Sequence, residues 1–169
     1  LKQLKQRNFT QRISAIMRSY EVSPTSLELE ITETTLMENP ERTIKLLDQL
    51  YALGLHLAID DFGTGYSSLS ALQQFPISTL KIDKSFVRHV ATNADDATLV
   101  GTIVQMGRNM NMDVVAEGVE ETDQLAFLQS IDCTYAQGLL FGDPMSSDNY
   151  LELLLAQMEG TDAYRALFA

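Results

Sequence analysis

Short apolar segments recur along this chain at a spacing that leaves few architectures open. Candidate strands open at Leu27, Leu55, Thr79, Asp113 and Thr134, so successive starts lie 28, 24, 34 and 21 residues apart. Between each pair stands a stretch patterned for a helix. Asn39-Pro40 opens one in the order cap residue then proline, with Ile44, Leu47, Leu50 and Tyr51 as its stripe and Gly54 as its stop. A short helix is expected over about 67–75, closed by Pro76, and a longer one from about Asp95 to Asn111 with Val100, Ile103, Val104 and Gly107 inward. Thr122 is the expected cap of another, carrying Leu125 and Leu128. A parallel strand pair requires a crossover long enough to hold a helix, so this rhythm predicts βα units and a parallel sheet. The choice left open is between an open doubly wound sheet and a closed barrel.

The flanks and bulk properties narrow the class. Phe9, Ile13, Ile16, Met17 and Tyr20 predict an amphipathic helix from Asn8 to Tyr20. Ser146 or Ser147 is expected to cap a last helix striped by Leu151, Leu154, Leu155 and Met158, stopped by Gly160, with a short tail helix towards Ala169. A chain of 169 residues that is 45% hydrophobic supports one full core. No apolar run approaches the roughly 20 residues of a membrane-spanning helix. The formal charge of −11 argues against polymeric nucleic acid as a partner, although not against a small anion reached through metal ions. Cys133, the sole cysteine, reads as a buried structural thiol and fits a cytoplasmic setting. Met106, Met110 and Met112 read as core fillers, and His56, opening a strand, and His89, on an expected helix, as structural. The chain opens on Leu1 rather than Met, which suggests a piece of a longer protein.

Strand parity brings in the chemistry. Successive strand residues point to opposite faces, so Glu30 opposes Leu29 and Ile31, and Asp60 opposes Leu57 and Ile59. Lys81 likewise opposes Leu80 and Ile82, Glu117 opposes Val114 and Ala116, and Gln137 opposes Ala136. Each strand thus offers an apolar face to its helices and a polar residue near its C-terminal end on the other. In a barrel such residues meet at one mouth, where βα enzymes keep their sites. Asp60 and Asp61, adjacent before a loop with Gly63 and Gly65, repel each other and call for a positive partner. Glu30, Asp60, Asp61 and Glu117 are hard oxygen donors suited to Mg²⁺ or Mn²⁺, and Lys81 could hold an attacking water or a phosphoryl oxygen. Two bridged metals can drive in-line displacement at a phosphate ester.

The runs Leu27-Glu-Leu-Glu-Ile-Thr-Glu33, Asp60-Asp-Phe-Gly-Thr-Gly-Tyr-Ser-Ser-Leu69, Leu80-Lys-Ile-Asp-Lys-Ser-Phe-Val87, Val115-Ala-Glu-Gly-Val-Glu120 and Gln137-Gly138 resemble, in order, those of the EAL-domain family. The resemblance implies an α/β fold, a TIM-type (β/α) barrel incomplete in this chain, with its first strands missing. Residues 1–169 would then form the C-terminal two-thirds or so of such a domain. The implied activity is metal-dependent hydrolysis of cyclic di-GMP to linear pGpG on a two-metal Mg²⁺ or Mn²⁺ site, within a bacterial signalling protein. The implied roles are metal ligation by Glu30, Asp60, Asp61 and Glu117, and a water contact by Lys81. Glu120 and Gln137 would line the site, and Glu33 would brace the loop after the Asp pair. A homodimer and an upstream sensory or GGDEF-type domain are the implied partners, in the cytoplasm or tethered to a membrane. The family's Glu-Ala-Leu strand and the strand bearing its ligand asparagine do not occur in the chain, so the fragment alone is expected to be inactive. Leu139–Pro144 also departs from the family, which has an aromatic after Gln-Gly and a basic residue where Asp143 stands. The alternatives are a cyclic di-GMP receptor that binds without cleaving, and an unrelated barrel enzyme using the same acids.

Overall fold

Alternation of apolar and polar residues builds the sheet, and helical stripes cover one side of it. A computed structural model of the chain describes residues 4, 6, 8–65 and 69–158. The expected tail helix, the Gly160 stop and positions 67–68 of the expected short helix lie outside these residues. Helix α1 (Phe9–Ser19) leads through one 3₁₀ turn, Pro24–Ser26, into strand β1 (Glu28–Thr32). Helices α2 (Glu33–Glu38) and α3 (Pro40–Ala52) precede strand β2 (His56–Phe62), and α4 (Leu69–Leu72) precedes strand β3 (Thr79–Ile82). Helices α5 (Lys84–Val87) and α6 (Ala94–Asn109) lead to strand β4 (Asp113–Glu117). Helix α7 (Thr122–Ser130) leads to strand β5 (Tyr135–Gln137), and α8 (Ser147–Met158) follows a 3₁₀ turn at Leu139–Phe141.

All five strands pair in parallel, in the order β1-β2-β3-β4-β5. A doubly wound sheet reverses its strand order at a switch point; this one runs monotonically, as the wall of a TIM-type barrel does. Among the described residues the wall is an arc, since β1 and β5 pair with no further strand. The register aligns Glu30 with Ala58, Thr32 with Asp60, Lys81 with Val115, and Glu117 with Gln137, so the polar parity of neighbouring strands falls on one face. Leu57, Ile59, Leu80, Ile82, Val114 and Ala116 occupy the other face, fully buried against Leu36, Leu47, Leu50, Val100 and Leu128 of the helices.

Several expectations need correction. Strand β2 runs on through Asp61 to Phe62, so the Asp pair lies inside the strand rather than at a loop entry. Helix α2 was hidden by its mixed composition, Glu-Thr-Thr-Leu-Met-Glu, which has one fully buried apolar anchor, Leu36. Asn93 caps α6, its side chain accepting from Asp95 and Asp96, and Glu121 rather than Thr122 is the cap residue of α7. His89 lies exposed in the turn between α5 and α6, not on a helix. Ile16, Tyr20 and Tyr51 stay exposed at the margins of their stripes. So does the stripe of α8: Leu151 is 55% and Leu155 51% exposed, because the described sheet ends at β5 and offers it no surface. Cys133 is half-buried, leaning on the carbonyls of Val114 and Tyr135, and burial pushes its thiol up. No described helix is long and apolar enough to cross a membrane.

Gly107 marks a close approach of α6 to β4. A Cβ there would stand 2.3 Å from Cγ2 of Val114, a stiff and fully buried side chain on β4. Gly107→Ala is therefore expected to lower stability by about 1 kcal/mol, overpacking of 1–3 exceeding the ~1 gained in helix propensity. The urea midpoint should fall at unchanged slope; a raised midpoint would show that α6 can lift from β4.

Candidate active site

The C-terminal strand ends gather the charges. Lys81 leaves β3 on the polar face with its side chain only 7% exposed. Its Nζ stands 2.6 Å from Glu30 Oε1 of β1, 2.6 Å from Glu117 Oε1 of β4 and 3.8 Å from Asp60 Oδ1 of β2. One ammonium thus joins acids from three other strands. Burial opposes its charge, but the hydrogen bonds and charges of Glu117 and Glu30 outweigh that and hold its pKa above the ordinary 10.5.

Asp61 reaches the same mouth by a backbone irregularity. In a regular strand Asp60 and Asp61 would face opposite ways. The register of β2 on β3 shifts between Ile59 and Phe62, and Asp61 sits in left-handed backbone at φ 54°. Such a bulge re-aims a side chain. It leaves Asp60 near Lys81 and sets Asp61 against Asp83, which caps α5 by accepting from the Ser85 amide at 2.9 Å and from the Ser85 hydroxyl. Burial, then the charges of Asp60 and Asp83, push the Asp61 carboxyl up despite Lys81. Burial works against Asp83 too, yet Ser85, Lys84 and the Asp61 side chain hold it low.

The structure adds to this mouth Asp83, to which the sequence motifs assign no role. It follows Ile82 with the parity of Lys81, at the end of a strand already singled out.

Glu33, only 2% exposed, carries the loop beyond β2: its Oε2 accepts from the amides of Gly63 at 3.0 Å and Gly65 at 3.1 Å. Glu120, just beyond β4, and Gln137, ending β5, are exposed at the same end of the sheet. No side-chain hydrogen bond or ion pair among the described residues joins either to the Lys81 cluster. Asp143 is exposed beyond the Leu139–Phe141 turn.

The donor set of Glu30, Asp60, Asp61 and Glu117 is all carboxylate oxygen, which fits a hard divalent cation rather than a soft one. Among the described residues no three His, Cys, Asp or Glu side chains close into a metal-binding cluster. What draws the carboxylates together is the Lys81 ammonium.

A parallel βα wall with acids converging on its C-terminal mouth defines a class, the (β/α)-barrel type of domain. Comparison with known proteins narrows it. The family model described as EAL domain matches residues 1–144, and the chain belongs to that family. It is 44% identical over 138 residues to the bifunctional diguanylate cyclase/cyclic di-GMP phosphodiesterase MucR of Pseudomonas aeruginosa, covering 82% of this chain and 20% of MucR. The chain therefore spans about a fifth of that relative's length. The solved structure of the MucR phosphodiesterase with c-di-GMP superposes at TM-score 0.85 and 40% identity, over 88% of this chain and 60% of that one. The manganese/cy-diGMP complex of Klebsiella pneumoniae BlrP1 superposes at TM-score 0.78 and 31% identity, over 84% and 36% of the two chains.

Lys81→Met should cost about 2 kcal/mol, between the value of exposed pairs and that of buried ones, since Glu30 is 47% exposed. The folded-state pKa of Lys81 lies above its unfolded value. Its contribution is therefore fully present below 10.5 and lost as pH rises through the raised value. The gap between parent and variant in urea unfolding should hold at about pH 8 and narrow above about pH 11. A gap equally wide at both would remove the ammonium from the account.

Proposed function

We propose that this EAL domain is a metal-dependent phosphodiesterase that hydrolyses cyclic di-GMP to linear pGpG. The observation that carries the reading is the gathering of Glu30, Asp60 and Glu117 around Lys81 at the strand ends of a chain in the EAL family. The names of the MucR relative and its c-di-GMP complex support the substrate, and the BlrP1 manganese complex supports a divalent ion.

In this proposal Glu30, Asp60, Asp61 and Glu117 would hold two divalent cations, Mg²⁺ or Mn²⁺. When bound, the ions supply activation of water and charge neutralisation at phosphorus. Lys81 orients the attacking water by donating to its oxygen. Glu120 and Gln137 form the wall against which the dinucleotide lies. Glu33 holds the Gly63–Gly65 loop, keeping the Asp pair in register through its two amide contacts. Residues 1–169 form the C-terminal two-thirds or so of the domain. Turnover belongs to the closed barrel, because the described wall is open between β1 and β5. A homodimer, an upstream sensory or GGDEF-type domain and a cytoplasmic location complete the proposal.

The full-length protein should cleave cyclic di-GMP with Mn²⁺ or Mg²⁺ and stop in chelator, while residues 1–169 alone turn over nothing. Asp60→Asn should lower turnover on the order of 10²-fold or more, the scale of losing one strong electrostatic stabiliser. Equal turnover in chelator, or full activity in a folded Asp60→Asn protein, would sink the reading.

A further inference from the structure

Gln124 on α7 is a polar side chain only 3% exposed, at the junction of two loops of the site mouth. Its Oε1 accepts from the backbone amides of Glu120 at 2.8 Å and Glu121 at 3.0 Å, and its Nε2 donates to the carbonyl of Arg88 at 3.1 Å. Part of this is ordinary helix capping: a third-position Gln reaching back to the cap residue's amide is half of a capping box. Capping accounts for Glu121. It does not account for the second amide, at Glu120, or for Arg88, which ends α5 and so belongs to the loop leaving β3.

The surroundings show how little play that loop has. Gly118 packs so closely on α5 that a Cβ would come within 2.5 Å of the Lys84 side chain. Val119 is fully buried, donates to the Gln137 carbonyl and accepts from the Leu140 amide. Residues 118–121 are thus pinned to the β3 loop at both ends and to the β5 loop in between. Gln124 makes the far pin, at the residue that bears Glu120.

We propose that Gln124 is the positioning residue for Glu120. By holding the Glu120 amide and the Arg88 carbonyl with one side-chain amide, it locks the β4 loop to the loop that follows Lys81 and Asp83. A side-chain amide suits the three partners, two donors and one acceptor. A carboxylate would accept from both N–H groups but turn a second oxygen on the Arg88 carbonyl. A thioether would leave all three backbone groups without a partner. The inference rests on the reading of Glu120 as a wall of the phosphodiester site.

The test uses the full-length protein with Mn²⁺ and cyclic di-GMP, and amide hydrogen exchange without substrate. Gln124→Met should lower kcat/KM about 10- to 100-fold, the usual cost of losing a support behind a site residue. It should also speed exchange at Glu120 and Glu121, while Gln124→Glu recovers part of both by keeping an acceptor for the two amides. If Gln124 acts through Glu120, the double variant Gln124→Met/Glu120→Gln should be no slower than Glu120→Gln alone. Multiplying losses in that double variant, or unchanged exchange at the Glu120 amide, would overturn the proposal. Should Gln124→Met fail to fold, Gln124→Glu with Glu120→Gln serves for the same cycle. If the parent hydrolyses no cyclic di-GMP, the phosphodiesterase reading falls. Exchange at Glu120 in Gln124→Met then decides the strut alone, faster exchange upholding it and unchanged exchange overturning it.

Discussion

One ammonium holds the mouth of this sheet together. The parallel, monotonic strand order sends the C-terminal ends of β1, β2, β3 and β4 to the same rim, each with a polar residue on the inner parity. Without a cation those ends would set Glu30, Asp60 and Glu117 against one another in a half-dry setting, where repulsion is stronger than in water. Lys81 answers all three from the strand between β2 and β4. A lysine is suited to this because its compact ammonium points three donors in different directions, whereas an arginine confines its donors to one plane. The helices depend on this arrangement less directly. Their apolar faces are satisfied by the opposite parity of the same strands, so core and site are two sides of one register.

That coupling explains why so much was legible without coordinates. A one-residue slip in β3 would exchange Leu80 and Ile82 for Lys81 in the core, and the cost of burying that charge away from its carboxylate partners fixes the register. The strand spacing, the apolar parity and the residues Glu30, Asp60, Lys81 and Glu117 follow from this constraint and were readable from the sequence. Parity reasoning reaches its limit at Asp61. It assumes an unbroken strand, and the bulge with its left-handed residue breaks that assumption. Asp83 is harder to read for a related reason: it lies one residue past β3, beyond the ladder that makes parity dependable. The short helices α2 and α5 carry too few apolar residues for periodicity to register. The stripe of α8 was visible as a stripe, but amphipathicity records only that a face wants covering, not what covers it.

The loops at the rim are held by side chains reaching backbone, and the chemistry of the partners decides which residue type does the holding. Glu33 faces two amides, both donors, so a carboxylate serves, and the contact strengthens because its charge is assisted by both. Gln124 faces two donors and an acceptor, and its side-chain amide answers both kinds at once. A charge at 124 would also stand next to Glu120 and Glu121 in a chain whose formal charge is already −11. A neutral strut is therefore favoured there on two independent grounds, hydrogen-bond matching and electrostatics. Strand register thus delivers the charges to the rim, while backbone-directed side chains hold the loops that carry the remaining residues. Neither could substitute for the other. Register places alternate residues only while the strand lasts, and a loop has no ladder of its own to hold it.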